Sequence, residues 1–476
     1  MKLFQNRSSG PVDMTAGSVR KKLLLLAWPV MLSHLLHTLY NLADAFWLGK
    51  LGRQALNAPT ITMHVVFIGF ALAMGLGAAG TTLVSQYKGA GKEEKAADVA
   101  AQLLSLLTGI GLVLGVAGYL LTPTLLDLLQ TPPDSWQMTY DYMRFIFMGI
   151  PLLFAFTVYQ AVSTGLGDTL GPMQVNLVSV ILNLILDPIL IFGFGPIPPM
   201  GVVGAAVATV FCRAVASFFG VARLFRGRKG FRIHIRQMLP QLETVKKILK
   251  IGLPVGMGQM GTSLGFTVMI GIVNSFGSAV TAAFGVGNRI IHMAMVPAMG
   301  LSQANATAVG QNLGAGDPER AEESVHSALL IIGSILLPVT TLMFFFGGDI
   351  ARAFVNDPAV IELGRTMFHI TTPSVFVFGF LLVILGSFQG SGHTMPVMVL
   401  NMSRLWALRI PGAYLLAYAA SIGAHGIWWA MFISNTVTAV SGWLWFKTGS
   451  WKKKGSKLVR EPEEAAEIAP MGTDLD

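Results

Sequence analysis

Apolar runs of about 20–25 residues, the length a helix needs to cross a bilayer, recur along the chain. Short polar, basic or Gly- and Pro-containing stretches separate them. The runs predict spans at 23–48, 58–84, 99–122, 142–164, 172–194, 201–225, 248–274, 279–309, 325–347, 366–388, 396–420 and 424–446. The first run follows Arg20-Lys21-Lys22 and ends near Ala43-Asp44-Ala45, which imitates a cleavable leader. It is longer than the apolar core of a leader, and it has a counterpart in the second half. The expectation is an all-α, polytopic membrane protein of about twelve transmembrane helices.

The second half echoes the first. Ala73-Met74-Gly75-Leu76 returns as Ala298-Met299-Gly300-Leu301, 225 residues on. Gln86 with Gly89-Ala90-Gly91 returns as Gln311 with Gly314-Ala315-Gly316 at the same spacing. Pro29 and Pro254, Asn176 and Asn401, and the segments beginning at Gly165 and Gly390 keep it too. Gly201-Val202-Val203-Gly204 returns as Gly423-Ala424-His425-Gly426 at 222, so a short deletion intervenes. One match carries little, but a set in register over most of a half marks a duplication. Six spans per half return the chain to its starting side. The halves are therefore expected as parallel repeats about an axis along the membrane normal. The expected divisions are a lobe at 1–225, a connector at 226–247, a second lobe at 248–447 and a disordered tail at 448–476.

Composition agrees with a lipid-facing surface. Hydrophobic residues make up 53% of the chain and charged residues 12%, against about 25% charged in soluble domains. The net charge of +9 raises nucleic acid as a partner. The basic residues, however, lie between apolar runs, where they act as topology signals. Arg223, Arg226, Arg228, Lys229, Arg232, Arg236, Lys246, Lys247 and Lys250 fall in one such stretch. The N-terminal arm, the 88–95 loop and the 447–460 segment carry more on the same side. Both termini are thus expected in the cytoplasm and the chain in the cell membrane. Cys212, the single cysteine, excludes a disulfide framework. No GxxxxGK[ST] stretch offers a nucleotide site, and no nucleophile constellation suggests an enzyme.

Carboxylates inside spans carry the functional signal, because each is costly there and is kept for a reason. In the first half, Asp44 and Asp187 lie well inside their spans, both toward the outer end. Asn183 stands one helical turn before Asp187, on its face. Pro188 removes a backbone donor and frees a carbonyl beside Asp187. Two close carboxylates suit a proton, and an oxygen-rich pocket suits Na⁺. The bland alternative is a cap or a structural Arg pair, with Arg213 as candidate partner. Arg404 and Arg409 occupy the second-half stretch that corresponds to Asn183 and Asp187. Gly111/Gly115 and Gly261/Gly265 are GxxxG pairs that predict close helix packing. Met257, Met260, Met269, Met293, Met295 and Met299 gather in spans seven and eight, as core filler or an adaptable cavity wall.

Four stretches resemble the multidrug and toxic compound extrusion (MATE) family. They are Thr38-Leu39-Tyr40-Asn41-Leu42-Ala43-Asp44, Gly165–Thr169, Leu182–Pro188 and Gly201–Thr209. The resemblance covers roughly residues 20–447 and is nearer the prokaryotic, DinF-like branch with its carboxylates in the first half. It implies an antiporter that expels organic, often cationic, compounds against H⁺ or Na⁺. It adds Thr209, Tyr142 and Gln160 to an ion network with Asp44, Asn183 and Asp187. Asp44, Asn183, Asp187 and Thr209 are the expected Na⁺ oxygens, and Pro29 and Pro188 the expected helix bends. It further implies small organic solutes and membrane lipids as partners, a monomer, and no cofactor or nucleic acid. A flippase or exporter of a lipid-linked saccharide is the alternative from the same superfamily.

The topology has a direct test. Cysteines introduced at Gly230 or Gly455, in a Cys212→Ser background, should resist an impermeant thiol reagent added to intact cells. Labelling of either from outside would overturn the orientation.

Overall fold

The computed structural model describes residues 11–227, 231–455 and 458. It is built of helices, and the first half contains α1 (Val19–Leu51), α2 (Asn57–Gly89), α3 (Glu93–Leu128), α4 (Pro133–Gly165), α5 (Leu170–Phe192) and α6 (Val202–Arg226). The second half contains α7 (Leu242–Asn274), α8 (Ser278–Gly314), α9 (Pro318–Arg352), α10 (Pro358–Gly390), α11 (395–419) and α12 (Ala424–Lys447). Ten of these helices, α1 to α10, are long and apolar enough to cross a membrane. In α12, Ser434, Asn435, Thr436 and Thr438 dilute the aliphatic run. The span expected at 396–420 is not one regular helix. It breaks into α-helical pieces joined by π turns at Ser403–Arg409 and Leu415–Ala419.

Small residues set the packing. In lipid, helices associate by close fit rather than by hydrophobic burial. A Cβ on Gly115 would meet the Phe147 carbonyl at 2.8 Å, so α3 lies directly on α4. Cβ atoms on Gly261 and Gly265 would meet Met402 and Leu405 at 3.1 Å, which seats α7 on α11. Both GxxxG pairs are thus close-packing points. The methionines divide instead of forming one face: Met269 and Met295 are buried, while Met257 and Met293 are exposed.

The halves meet through α2 on α7 and, at the repeat-related place, α8 on α1. At one end of the bundle, here called the base, the contact is nearly symmetric. Gln86 Nε2 donates to the Gly390 carbonyl at 3.0 Å, and its counterpart Gln311 Nε2 donates to the Gly165 carbonyl at 3.1 Å. Thr82 Oγ1 donates to Gln389 O at 2.7 Å, and Thr307 Oγ1 to Thr164 O at 3.2 Å. The acceptors are terminal carbonyls of α4 and α10, which have no partner within their own helix. The approach requires glycine. A Cβ on Gly89 would sit 1.9 Å from the Gln311 carbonyl oxygen, and one on Gly314 would sit 2.0 Å from that of Gln86.

The chain leading into α1 lies across this base. Val12 N donates to Gly167 O at 2.9 Å, and Met14 N to Gln311 Oε1 at 2.9 Å. Arg320 Nε, from α9, reaches Met14 O at 3.0 Å, and Met14 is fully buried. Between α6 and α7, Gln102 of α3 donates to Gln237 O and Leu239 O at 2.5 and 2.6 Å and pins the connecting segment. Arg228 and Lys229 of the expected connector lie outside the described residues. The segment expected as a disordered tail opens with a short helix, α13 (Ser450–Gly455). Trp451 is buried there and stacks on Phe446, while Lys452 pairs with Glu322 at 2.5 Å. A buried indole outweighs the local charge that suggested disorder. Residues 459–476 lie outside the described residues.

Losing a net hydrogen bond costs about 0.5–1.5 kcal/mol, which shifts a two-state balance roughly 2- to 12-fold. Spin labels at Glu94→Cys and Glu319→Cys, in a Cys212→Ser background, should therefore gain a longer-distance population when Gln86→Leu and Gln311→Leu are combined. An unchanged distance distribution would show that the glutamines do not hold the base shut.

Candidate functional site

α5 packs on both α1 and α6, and the groups of interest lie toward the end of these helices away from the base, here called the mouth. Asp44 comes from α1, Asn183 and Asp187 from α5, and Thr209 from α6. Asn183 Nδ2 donates to Asp187 Oδ1 at 2.8 Å along one helical turn. Both residues are fully buried. The Asp44 carboxyl interacts with Asp187, Asn183 and Thr209. Tyr142, buried on α4, is in electrostatic contact with both carboxyls. Asp44, Asp187, Asn183, Thr209 and Tyr142 thus converge on one pocket.

The pocket is rich in oxygens that its own donors satisfy only in part. Asp44 Oδ1, Asp187 Oδ2, Asn183 Oδ1, Thr209 Oγ1 and Tyr40 Oη are buried and make no hydrogen bond of good geometry among the described residues, although they lie within reach of one another. A buried oxygen without a partner is destabilising, and a buried carboxylate more so. A proton shared between the two carboxyls relieves part of that cost. A hard cation such as Na⁺, which binds through oxygen, relieves it as well. The donor set fits either ion as cargo.

Two expected residues stand elsewhere. Gln160 is on α4 with Tyr142 but 18 residues further on, roughly 27 Å along the helix axis. It is half-buried near the base and takes no part in the pocket. Pro29 lies 15 residues before Asp44, roughly 22 Å away along α1. α1 and α5 run as continuous helices through Pro29 and Pro188, so neither expected bend breaks its helix. Ser33 Oγ accompanies the first, donating to Pro29 O at 2.9 Å.

Two neighbours, Tyr40 and Cys212, were not assigned from sequence, and a third, Arg213, was named only as a candidate partner of the carboxylates. Tyr40 stands one turn before Asp44 and faces it and Thr209. The spacing of four was the available signal. Arg213 stands one turn after Thr209, its guanidinium 4.9 Å from the centre of the Tyr40 ring. It is within electrostatic reach of Asp44, so Arg213 is a partial counter-charge at the pocket's edge rather than a surface snorkel. Cys212 adjoins both carboxyls, its own carbonyl accepting from Ser179 Oγ at 3.3 Å. Toward the middle of α1, His34 and His37 face His292 of α8 across the halves.

Comparison with known proteins places this arrangement. The chain is 29% identical over 441 residues to the probable multidrug resistance protein YpnP of Bacillus subtilis, covering 92% of this chain and 97% of that one. It is 29% identical over 436 residues to the FAD transporter of Shewanella oneidensis, covering 90% and 94%. A solved multidrug resistance MATE family transporter of the MOP superfamily, in an outward-facing conformation, superposes with a TM-score of 0.85 at 26% identity. That match covers 96% of this chain and 100% of the other. The MatE family model matches residues 29–189 and 254–415, one block in each half. The chain belongs to the MatE family of multidrug efflux transporters.

Proposed function

We propose that this protein is a secondary antiporter that exports organic solutes, cationic ones among them, in exchange for H⁺ or Na⁺. The observation that carries the reading is the pocket of unsatisfied oxygens at Asp44, Asn183, Asp187 and Thr209. It lies near the mouth while the base is held shut by Gln86 and Gln311. A closed base with the ion pocket toward the other end supports alternating access in which this state is loaded from the mouth side. The base faces the cytoplasm of the cell membrane, in keeping with its Lys- and Arg-rich loops. The chain works as a monomer of two lobes, 1–225 and 248–447, and uses no cofactor.

Coupling follows from cost. A carboxylate in a span must be neutralised, and a permanent arginine partner blocks its use as an ion carrier. Arg213 engages the Tyr40 ring and reaches Asp44 only electrostatically, which leaves the pair of carboxyls able to fill and empty. Loading removes their mutual repulsion and lets α1 and α5 pack more closely. Unloading restores it, and Pro29 and Pro188 are where these helices lack a backbone donor and bend most readily. The names of its relatives, a multidrug resistance protein and an FAD transporter, support an organic solute.

In proteoliposomes, a pH gradient and a Na⁺ gradient are imposed separately, and efflux of a fluorescent organic cation is followed. At least one gradient should drive efflux. Asp187→Asn should reduce it to the level of empty liposomes and Asp44→Asn should impair it strongly. Gln259→Ala, on α7 of the second half, should retain most of it. Normal gradient-driven efflux by the Asp44→Asn/Asp187→Asn variant would rule out the coupling site.

A further inference from the structure

The second half buries positive charge at the place where the first half buries acid. α11 corresponds to α5 in the repeat, and its π turn Ser403–Arg409 carries Arg404 and Arg409. On a regular α-helix, side chains five residues apart diverge by about 140°. A π turn closes i→i+5 hydrogen bonds, so it brings such side chains onto one face. Both guanidinium groups accordingly reach the same neighbours on α12. Arg409 Nε donates to Ser434 Oγ at 2.9 Å, and its Nη2 donates to Asn435 Oδ1 at 2.5 Å. Arg404 Nη1 approaches the same amide oxygen at 3.5 Å, and the Arg404 guanidinium lies 4.6 Å from the centre of the Phe378 ring.

These partners are all neutral. Arg404 is 8% exposed and Arg409 6%, and Arg404 Nε is buried with no acceptor. Among the described residues, no carboxylate pairs with either arginine. Two like charges inside the helical bundle therefore share one amide oxygen. That arrangement is costly unless an anion joins it for part of the working cycle. The planar fork of a guanidinium matches the paired oxygens of phosphate and carboxylate, and two forks on one face match them twice.

We propose that Arg404 and Arg409 form an anion subsite of the transport pathway, which takes a phosphate or carboxylate group. The proposal rests on the exporter reading and extends its solutes to organic anions and zwitterions. The group belongs either to a soluble solute or to the headgroup of an anionic lipid. Asn435 is the internal control. Asn435→Asp puts a carboxylate where both arginines already donate, so it supplies the missing counter-charge at unchanged side-chain volume.

The test uses the full chain in phosphatidylcholine nanodiscs, with phenyl phosphate as probe and the thermal unfolding midpoint as readout. The wild type should rise by roughly 2–4 °C at saturation. Asn435→Asp should start no lower than the wild type and show no rise. Arg404→Gln/Arg409→Gln should also show none. Nanodiscs containing phosphatidylglycerol separate the two sources. A headgroup in the site raises the wild-type midpoint, leaves Asn435→Asp unmoved and abolishes the phenyl phosphate response. A solute site responds to phenyl phosphate in both lipids. Equal responses of wild type and Asn435→Asp in both lipids, whether a rise or none, would overturn the subsite. The readout needs no gradient, so it stands apart from the exporter reading. Failure of wild-type efflux in proteoliposomes counts against that reading and leaves the anion result intact.

Discussion

A glutamine side chain donating to a terminal carbonyl of a helix in the other half, made twice, is the contact on which the rest of the structure depends. The last carbonyls of α4 and α10 have no acceptor role inside their own helices, and an apolar bundle offers them no water. Gln311 and Gln86 satisfy one carbonyl each. To reach it, α2 and α8 must come almost into backbone contact, which excludes any Cβ at Gly89 and Gly314. The glutamine and glycine matches between the halves thus share one cause. Such bonds contribute about 0.5–1.5 kcal/mol each. A few of them hold one end of the bundle closed, yet remain within the differential binding energy of an ordinary ligand.

The closed base gives the charges near the mouth their meaning. A duplicated frame places α5 and α6, and then α11 and α12, at equivalent depth. The frame fixes position and leaves chemistry open. In the first half the equivalent place holds carboxyl, amide and hydroxyl oxygens in want of a cation. In the second half it holds two guanidinium groups with a buried nitrogen in want of an acceptor. Neither half neutralises the other, because each group points into its own helix set. On the two proposals above, a bundle with both kinds of unmet demand would bind an ion in one half and a charged group of the solute in the other.

Much of this was legible in the sequence, for physical reasons. Spans are read from length and apolarity, which the bilayer itself imposes. The repeat is read from residues that the base contact cannot change, such as Gln86, Gly89 and their counterparts. Asp44 and Asp187 stand out because a carboxylate in an apolar run has few innocent explanations. Tyr40 and Arg213 were less legible, since an aromatic or basic residue in a span is as often packing or snorkelling. Gln160, which only the resemblance supplied, lies far along α4 from Tyr142, because a shared helix says nothing about depth along it. The π turn of α11 left no signal at all. Five residues between Arg404 and Arg409 argue against a shared face on any regular helix, and only the backbone shows otherwise.

α1 connects the two ends of the bundle. Asp44 and Tyr40 stand near its mouth end, against α5 and α6. The residues leading into its other end cross the base, where Met14 bonds the same Gln311 that closes on α4. A helix is stiff along its axis, so displacement at Asp44 reaches the base unless the helix bends between. Pro29 lies between those two points, where the missing donor makes bending cheapest. On the proposed antiport, a straight α1 would couple ion loading to the base directly, and a bent one would uncouple it. On that proposal, the position of one proline, far from the pocket yet on its helix, bears on how tightly the two ends of the bundle are coupled.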